Sequence, residues 1–205
     1  MKNILIIGAG GHSRSVVDTL NYIGEYNNIG IVDKKDTGHP LFVGTDHDLK
    51  RLRNDFQFAF LAVTNKPYEW KKRYFENLNK LGFKIPNIID RTCIKSDQIF
   101  LECGIFAGKN TVINTNVKIS RGAIINSSCV LEHDVSIGEY SNIAPGSVLL
   151  GGVKVGDNTL IGANSTIREN VQIGSNVIVG MGSNVIRGLI DEKTYLGNPA
   201  KEITK

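Results

Sequence analysis

The sequence is poor in residues that would commit it to several common classes. Cysteine occurs three times in 205 residues, at Cys93, Cys103 and Cys129, with no C-x-x-C spacing. An odd, scattered set of thiols excludes a disulfide scaffold and points to a reducing cytoplasm. No apolar run approaches the ~20 residues that span a bilayer, so no membrane insertion is expected. No signal peptide is visible, because Lys2-Asn3 leads into a short apolar run with Asp33 soon after. The net charge of +4 comes without any dense Lys/Arg block. It suits an anionic small molecule and gives no reason to expect nucleic acid. Histidine is scarce as well: of the four, only His133 lies beyond residue 47. A catalytic zinc generally takes about three protein ligands, so the second half of the chain is not expected to hold a metal.

Glycine, by contrast, is plentiful: 22 residues, concentrated in the second half. Hydrophobic residues make up 41% and charged residues 21%, an ordinary globular balance. The uneven glycine suggests two architectures in one chain.

The first ninety residues alternate between strand and helix patterns. Asn3 to Ile7 is a continuous apolar run, as in a strand buried on both faces, and it ends in Gly8-Ala9-Gly10-Gly11-His12. Ser13 to Ile23 reads as a helix with Val16, Val17, Leu20 and Ile23 on one face. Asn28 to Val32 and Phe58 to Val63 read as further strands, ending at Asp33 and at Thr64-Asn65. A short helix capped by Thr45, a helix from Lys66 to Leu81 and a closing strand from Ile85 to Ile89 complete the unit. The pattern predicts a parallel α/β sheet of Rossmann type, whose ligands sit at the carboxyl ends of the strands. Those ends carry Gly10, Gly11, His12, Asp33 and Thr64. Glycine lets a phosphate approach the backbone, and a helix amino terminus favours negative charge. The dinucleotide fingerprint G-x-G-x-x-G is incomplete, with Ser13 in its third glycine position. A nucleotide sugar therefore fits better than a nicotinamide dinucleotide; a plain strand-to-helix turn is the alternative.

The second half has period six. From Leu101, every sixth residue through Ile113, Ile125, Ile137, Ile143, Leu149, Ile161 and on to Val185 is aliphatic, fifteen in all and none out of phase. Four positions after each, most residues are small or β-branched, as in Thr111, Ala123, Cys129, Ser141 and Ser165. No helix or simple strand has this period; hexapeptide repeats make a parallel β-helix with three short strands per coil. The aliphatic residue points inward, the small one fills the corner, and Gly or Asn serves the turns. Fifteen repeats give about five coils.

His133 follows the inward Leu131 by two positions, so it sits on an outward turn beside Asp134. An exposed imidazole with a carboxylate to orient it can act as a general base. A solvated surface histidine is the alternative.

Three segments together carry a resemblance: Gly8-Ala9-Gly10-Gly11-His12, Glu132-His133-Asp134-Val135-Ser136-Ile137-Gly138, and Gly197-Asn198-Pro199-Ala200-Lys201. Over essentially its whole length the chain resembles the sialic acid O-acetyltransferase family (NeuD type), which includes the bacterial UDP-4-amino-sugar N-acetyltransferases (PglD type). The resemblance implies a left-handed β-helix after a Rossmann-like domain, with residues 1–90 holding a nucleotide sugar and residues 91–205 catalysing acyl transfer. It implies a homotrimer with acetyl-CoA between adjacent β-helices, His133 as base and Asp134 as its acidic partner. By position, Gly151 would supply an oxyanion-binding N–H, and Asn142, Gly151, Ala163 and Met181 would contact CoA. Gly10, Gly11 and His12 would lie near phosphate and Asp33 near the base or ribose, with Lys34 and Thr64 also in the substrate site. Two departures stand out. Asn142 replaces a histidine found in many members, and Asn cannot carry a proton. Lys34 and Thr64 replace a second acid and a glycine found in some.

The expected activity is acetyl transfer from acetyl-CoA to the amino group of a UDP-4-amino-4,6-dideoxy sugar in bacterial surface glycan biosynthesis. O-acetylation of a sialic acid, or a non-catalytic trimeric scaffold that binds a nucleotide, are the competing readings.

Overall fold

The computed structural model describes residues 2–203, and the chain divides into two compact units, residues 1–88 and 89–205. The first unit is a four-stranded parallel sheet. Its strands are β1 (Asn3–Ile7), β2 (Asn28–Val32), β3 (Phe42–Gly44) and β4 (Phe58–Leu61), in the order β3-β2-β1-β4. Helix α1 (Gly11–Ile23) follows β1, the short α2 (Leu49–Leu52) follows β3, and α3 (Tyr68–Lys80) follows β4. Ile4 to Ile7 are all buried, which is why the central strand reads as an unbroken apolar run. Helix α1 lays Val16, Thr19 and Leu20 inward and ends at Gly24, left-handed at φ 68°, whose N–H donates to the Leu20 carbonyl. Gly30 in β2 has no room for a side chain: a Cβ there would come within 2.9 Å of Phe56 and Val43.

Two features of this unit differ from the expectation. Edge strand β3 was not foreseen, because three residues are too few to show alternation. The segment before residue 90 is not a closing strand of this sheet. Lys84 makes a single parallel bridge to Phe58. Ile88–Ile89 is instead a strand of the solenoid.

The second unit is a parallel β-solenoid of about six turns, one more than the periodicity suggested. Strands pair with those eighteen residues on, as Ile119 with Ile137 and Ile137 with Val155. Three sheets make three faces. The first face contains Ile124–Ile125, Asn142–Ile143, Leu160–Ile161 and Ile178–Val179. The second contains Val130–Leu131, Val148–Leu149 and Thr166–Ile167, and the third Lys118–Ile119, Ser136–Ile137 and Lys154–Val155. The solenoid starts earlier than Leu101, with Ile88–Ile89 and Ile94–Lys95. Lys95 stands at an inward-phase position and breaks the aliphatic rule, which hid that coil from the pattern. At the other end the step shortens: Leu189 bridges Ile173, and Tyr195 pairs with Val179. The Gly197-Asn198-Pro199-Ala200 segment then turns the chain back, so that Lys201–Glu202 lies antiparallel on Thr194–Leu196.

Glycine serves the solenoid in two unrelated ways. One turn position in each repeat has positive φ, and it is filled by Gly or Asn almost throughout, with Asp134 among the exceptions at φ 61°. The glycines directly after the inward residue are different. They lie in ordinary backbone, but a Cβ on Gly156 would sit 2.6 Å from the Gly174 carbonyl carbon. These glycines permit the coils to approach. Buried corner hydroxyls then bond the freed carbonyls of the next coil, Ser141 Oγ to Gly156 at 2.6 Å and Thr159 Oγ1 to Gly174 at 2.7 Å. The polar corners are thereby satisfied and tie successive coils together.

Candidate active site

The turns joining the second face to the third stack above one another, and His133, Asp134 and Gly151 lie on this corner. The strand Val130–Leu131 runs into Glu132, and the turn at 133–134 projects both side chains outward; they are 61% and 57% exposed. His133 Nδ1 lies 2.8 Å from Asp134 Oδ2. Asn116, one coil below, donates to the other oxygen of Asp134 at 3.3 Å. The hydrogen bond from His133, then that from Asn116, holds the Asp134 carboxyl below the usual carboxylate range. An ionised Asp134 accepts, so the proton of a neutral imidazole resides on Nδ1 and the Nε2 lone pair is left unprotonated. A parallel contact steadies the turn: Asn114 Nδ2 donates to Glu132 Oε2 at 3.0 Å.

Gly151 is the residue above the ring. A Cβ there would fall 2.5 Å from both Cε1 and Nε2 of His133, so only glycine leaves the imidazole its place. The flanking amide is committed, Gly152 N–H donating to the His133 carbonyl at 2.9 Å.

Asn142, Ala163 and Met181 lie elsewhere on the same unit. Asn142 is on the first face, where its Oδ1 accepts from Asn126 Nδ2 at 2.8 Å. Ala163 and Met181 are on the stacked turns joining the first face to the second, and Met181 is 82% exposed. Within one chain, then, the fold brings His133, Asp134 and Gly151 together, and puts Asn142 on the first face and Ala163 and Met181 on a different edge.

The first unit contains a cavity of about 380 Å³ at the carboxyl ends of its strands. Gly10, Gly11, His12, Asp33, Lys34 and Thr64 all line it. Gly8 serves the turn itself, at φ 105° with Val63 against it, whereas a Cβ on Gly10 or Gly11 would meet nothing within 4 Å. That empty space lies at the start of α1, where the first-turn N–H groups favour an anion. Ser13, in the third fingerprint position, is buried and donates to the Gly10 carbonyl at 2.6 Å. Asp33 straps the turn: one oxygen accepts from Ala9 N–H at 2.8 Å, the other from Lys34 N–H at 2.6 Å. Burial pushes His12 down to about 4, so at neutral pH it offers the cavity an uncharged ring.

Four lining residues escaped the sequence reading: Asp46, Lys66, Trp70 and Tyr74. Trp70 and Tyr74 sit one turn apart on α3 with ring centroids 4.8 Å apart, and Lys66 Nζ lies 5.7 Å from the Trp70 ring. Tyr74 Oη donates to Asp46 Oδ1 at 2.5 Å. An aromatic pair at i, i+4 opening the helix after a strand was the available signal. Among the described residues, no cluster of three His, Cys, Asp or Glu side chains is placed to hold a metal.

A β-solenoid with an outward His-Asp corner, preceded by a Rossmann-like unit, defines a hexapeptide-repeat acyltransferase. Two family models match: the PglD N-terminal domain over residues 3–78, and the bacterial transferase hexapeptide (six repeats) over 116–151 and 152–187. Among solved structures, the chain is similar to PerB from Caulobacter crescentus, in complex with CoA and GDP-perosamine. Identity is 31% over 100% of this chain and 98% of that one, at a TM-score of 0.92. It is also similar to the acetyltransferase domain of PglB from Neisseria gonorrhoeae, at 27% identity over 99% and 100%, TM-score 0.91. WeeI from Acinetobacter baumannii shares the fold at 22% identity, over 99% and 100% of the two chains, with a TM-score of 0.88. The chain belongs to the PglD/NeuD-type family of hexapeptide acyltransferases, and its solenoid is the left-handed β-helix of that family.

Proposed function

We propose that this protein transfers an acetyl group from acetyl-CoA to the amino group of a nucleotide-activated amino sugar, with His133 as general base. The observation that carries this reading is the His133–Asp134 pair, exposed on a corner where Gly151 leaves the ring uncovered. The relatives with CoA and GDP-perosamine or with acetyl coenzyme A support the choice of substrates. The neutral sugar amine attacks the thioester carbonyl, and His133 Nε2 takes the proton the amine loses. Asp134 fixes the ring and favours the imidazolium that forms. The carbonyl oxygen becomes an oxyanion, for which the Gly151 N–H is the proposed donor. Collapse of the tetrahedral adduct expels the CoA thiolate, which His133 can reprotonate.

Asn142, Ala163 and Met181 are assigned to CoA across an interface between chains, since they lie on another face or edge from His133. The surface supports a trimer. The second face presents Val112, Val130 and Val148 outward, and the first presents Leu160 and Ile178, while the third, after Phe100 in its first strand, carries Lys118, Ser136, Lys154 and Gln172. Two apolar faces beside one polar face suit a closed ring in which each chain uses two different surfaces. A reducing cytoplasm is assigned to the protein, in keeping with three unpaired cysteines. No described helix is long and apolar enough to cross a membrane.

The test is a thiol-release assay with acetyl-CoA and nucleotide-linked 4-amino sugars, with mass spectrometry of the product. The proposal predicts one acetyl on nitrogen per thiol released. Acetylation of a hydroxyl would place the protein with the O-acetyltransferases. Absence of any CoA binding would favour a non-catalytic scaffold.

A further inference from the structure

We infer that Asp46, positioned by Tyr74, reads the nucleobase in the cavity of the first unit, and that the base it selects is guanine. This rests on the nucleotide-sugar reading above. The sheet order places β2 between β1 and β3, so the glycine turn after β1 and Asp46 after β3 stand two strand spacings apart, about 10 Å. That separation matches a phosphate at the start of α1 with its nucleoside extending across Asp33 to Asp46. Both ends line one continuous cavity.

Chemistry then discriminates among bases. Asp46 Oδ1 accepts from Tyr74, which leaves Oδ2 and a second lone pair on Oδ1 for a ligand. Tyr74 is kept protonated, since burial, the hydrogen bond to Asp46 and the nearby Asp33 charge all raise its pKa, so it remains a donor. A carboxylate held in this way presents only acceptors. Guanine offers two adjacent donors, N1–H and the 2-amino group, which match two carboxylate oxygens. Uracil and thymine offer one N–H flanked by carbonyls, and a carboxylate facing it sets acceptor against acceptor. Adenine and cytosine each pair one amino donor with a ring-nitrogen acceptor on the same edge. Trp70, packed on Tyr74 and lining the same cavity, supplies an aromatic wall for a planar base. The nucleotide sugar this inference selects is therefore a GDP sugar, where the resemblance implied a UDP sugar.

The test measures binding of GDP, UDP, dTDP, ADP and CDP to the full chain by calorimetry. The wild type is expected to bind GDP at least about tenfold tighter than any other. Asp46→Asn is expected to weaken GDP by about tenfold to a hundredfold and UDP much less, so that the GDP/UDP ratio collapses. Tyr74→Phe keeps the ring, and so the packing, and is expected to lower the same ratio by a smaller factor. A wild type that prefers UDP, or variants that weaken all nucleotides equally with the ratio intact, would overturn the inference. Either result leaves the acetyltransferase reading standing if a nucleotide sugar is still acetylated. If no nucleoside diphosphate binds and no nucleotide sugar accepts acetyl, the reading of the substrate itself fails.

Discussion

The two units solve the same problem, placing polar groups where a ligand can reach them, by opposite means. In the solenoid a residue's direction follows its phase within six, and contacts repeat at eighteen until the last coil, where the step shortens. In the α/β unit the cavity gathers the ends of several strands and one face of α3, with no repeat relating them. On the periodic scaffold the proposed chemistry falls on a turn that carries His133, with Asp134 where Gly or Asn is usual. A non-periodic one puts its chemistry where the topology brings strand ends together.

The contrast can be broken most severely in the ladder. Ile143 is fully buried among inward residues of adjacent coils. Ile143→Asp would leave an unpaired charge there and is expected to cost more than about 4 kcal/mol, read as loss of the folded β signal by circular dichroism. Glycine offers a finer comparison. Gly156→Ala drives a Cβ into the Gly174 backbone and is expected to cost about 1–3 kcal/mol, a fall in melting temperature of roughly 2–4 °C per kcal/mol. Gly10→Ala meets no protein atom and should stay within about 0.5 kcal/mol of wild type, while weakening nucleotide binding by calorimetry.

Acid should also separate the units. His12 has its folded value lowered to about 4, so between its ordinary 6.5 and 4 the unfolded chain binds the extra proton. The stability this group contributes is intact above 6.5 and is lost as pH falls toward 4. Thermal melts from pH 7 to 4.5 should show less destabilisation in His12→Asn than in wild type. The smallest effect is expected at the solenoid's end, where Lys193 and Glu202 pair at 2.9 Å in solvent. Lys193→Ala should leave the melting temperature nearly unchanged in the same melts.

The same contrast explains what was legible in the sequence. The repeat fixed its own register, so the outward place of His133 followed from counting from Leu131. Its first coil did not, because Lys95 interrupts the aliphatic series and only packing reveals the strand. In the α/β unit the glycine turn and Asp33 were visible as strand ends. Asp46 and Tyr74 were not, because they are 28 residues apart and meet only in the folded unit, where the residue after β3 accepts from a side chain of α3.

The His133 corner is proposed to perform the proton transfer. Single-turnover acetyl transfer by His133→Ala, with CoA and nucleotide affinity measured on the same sample, tests it most directly. The rate is expected to fall by about a hundredfold to ten-thousandfold with both affinities nearly unchanged. A rate within a few-fold of wild type would contradict it.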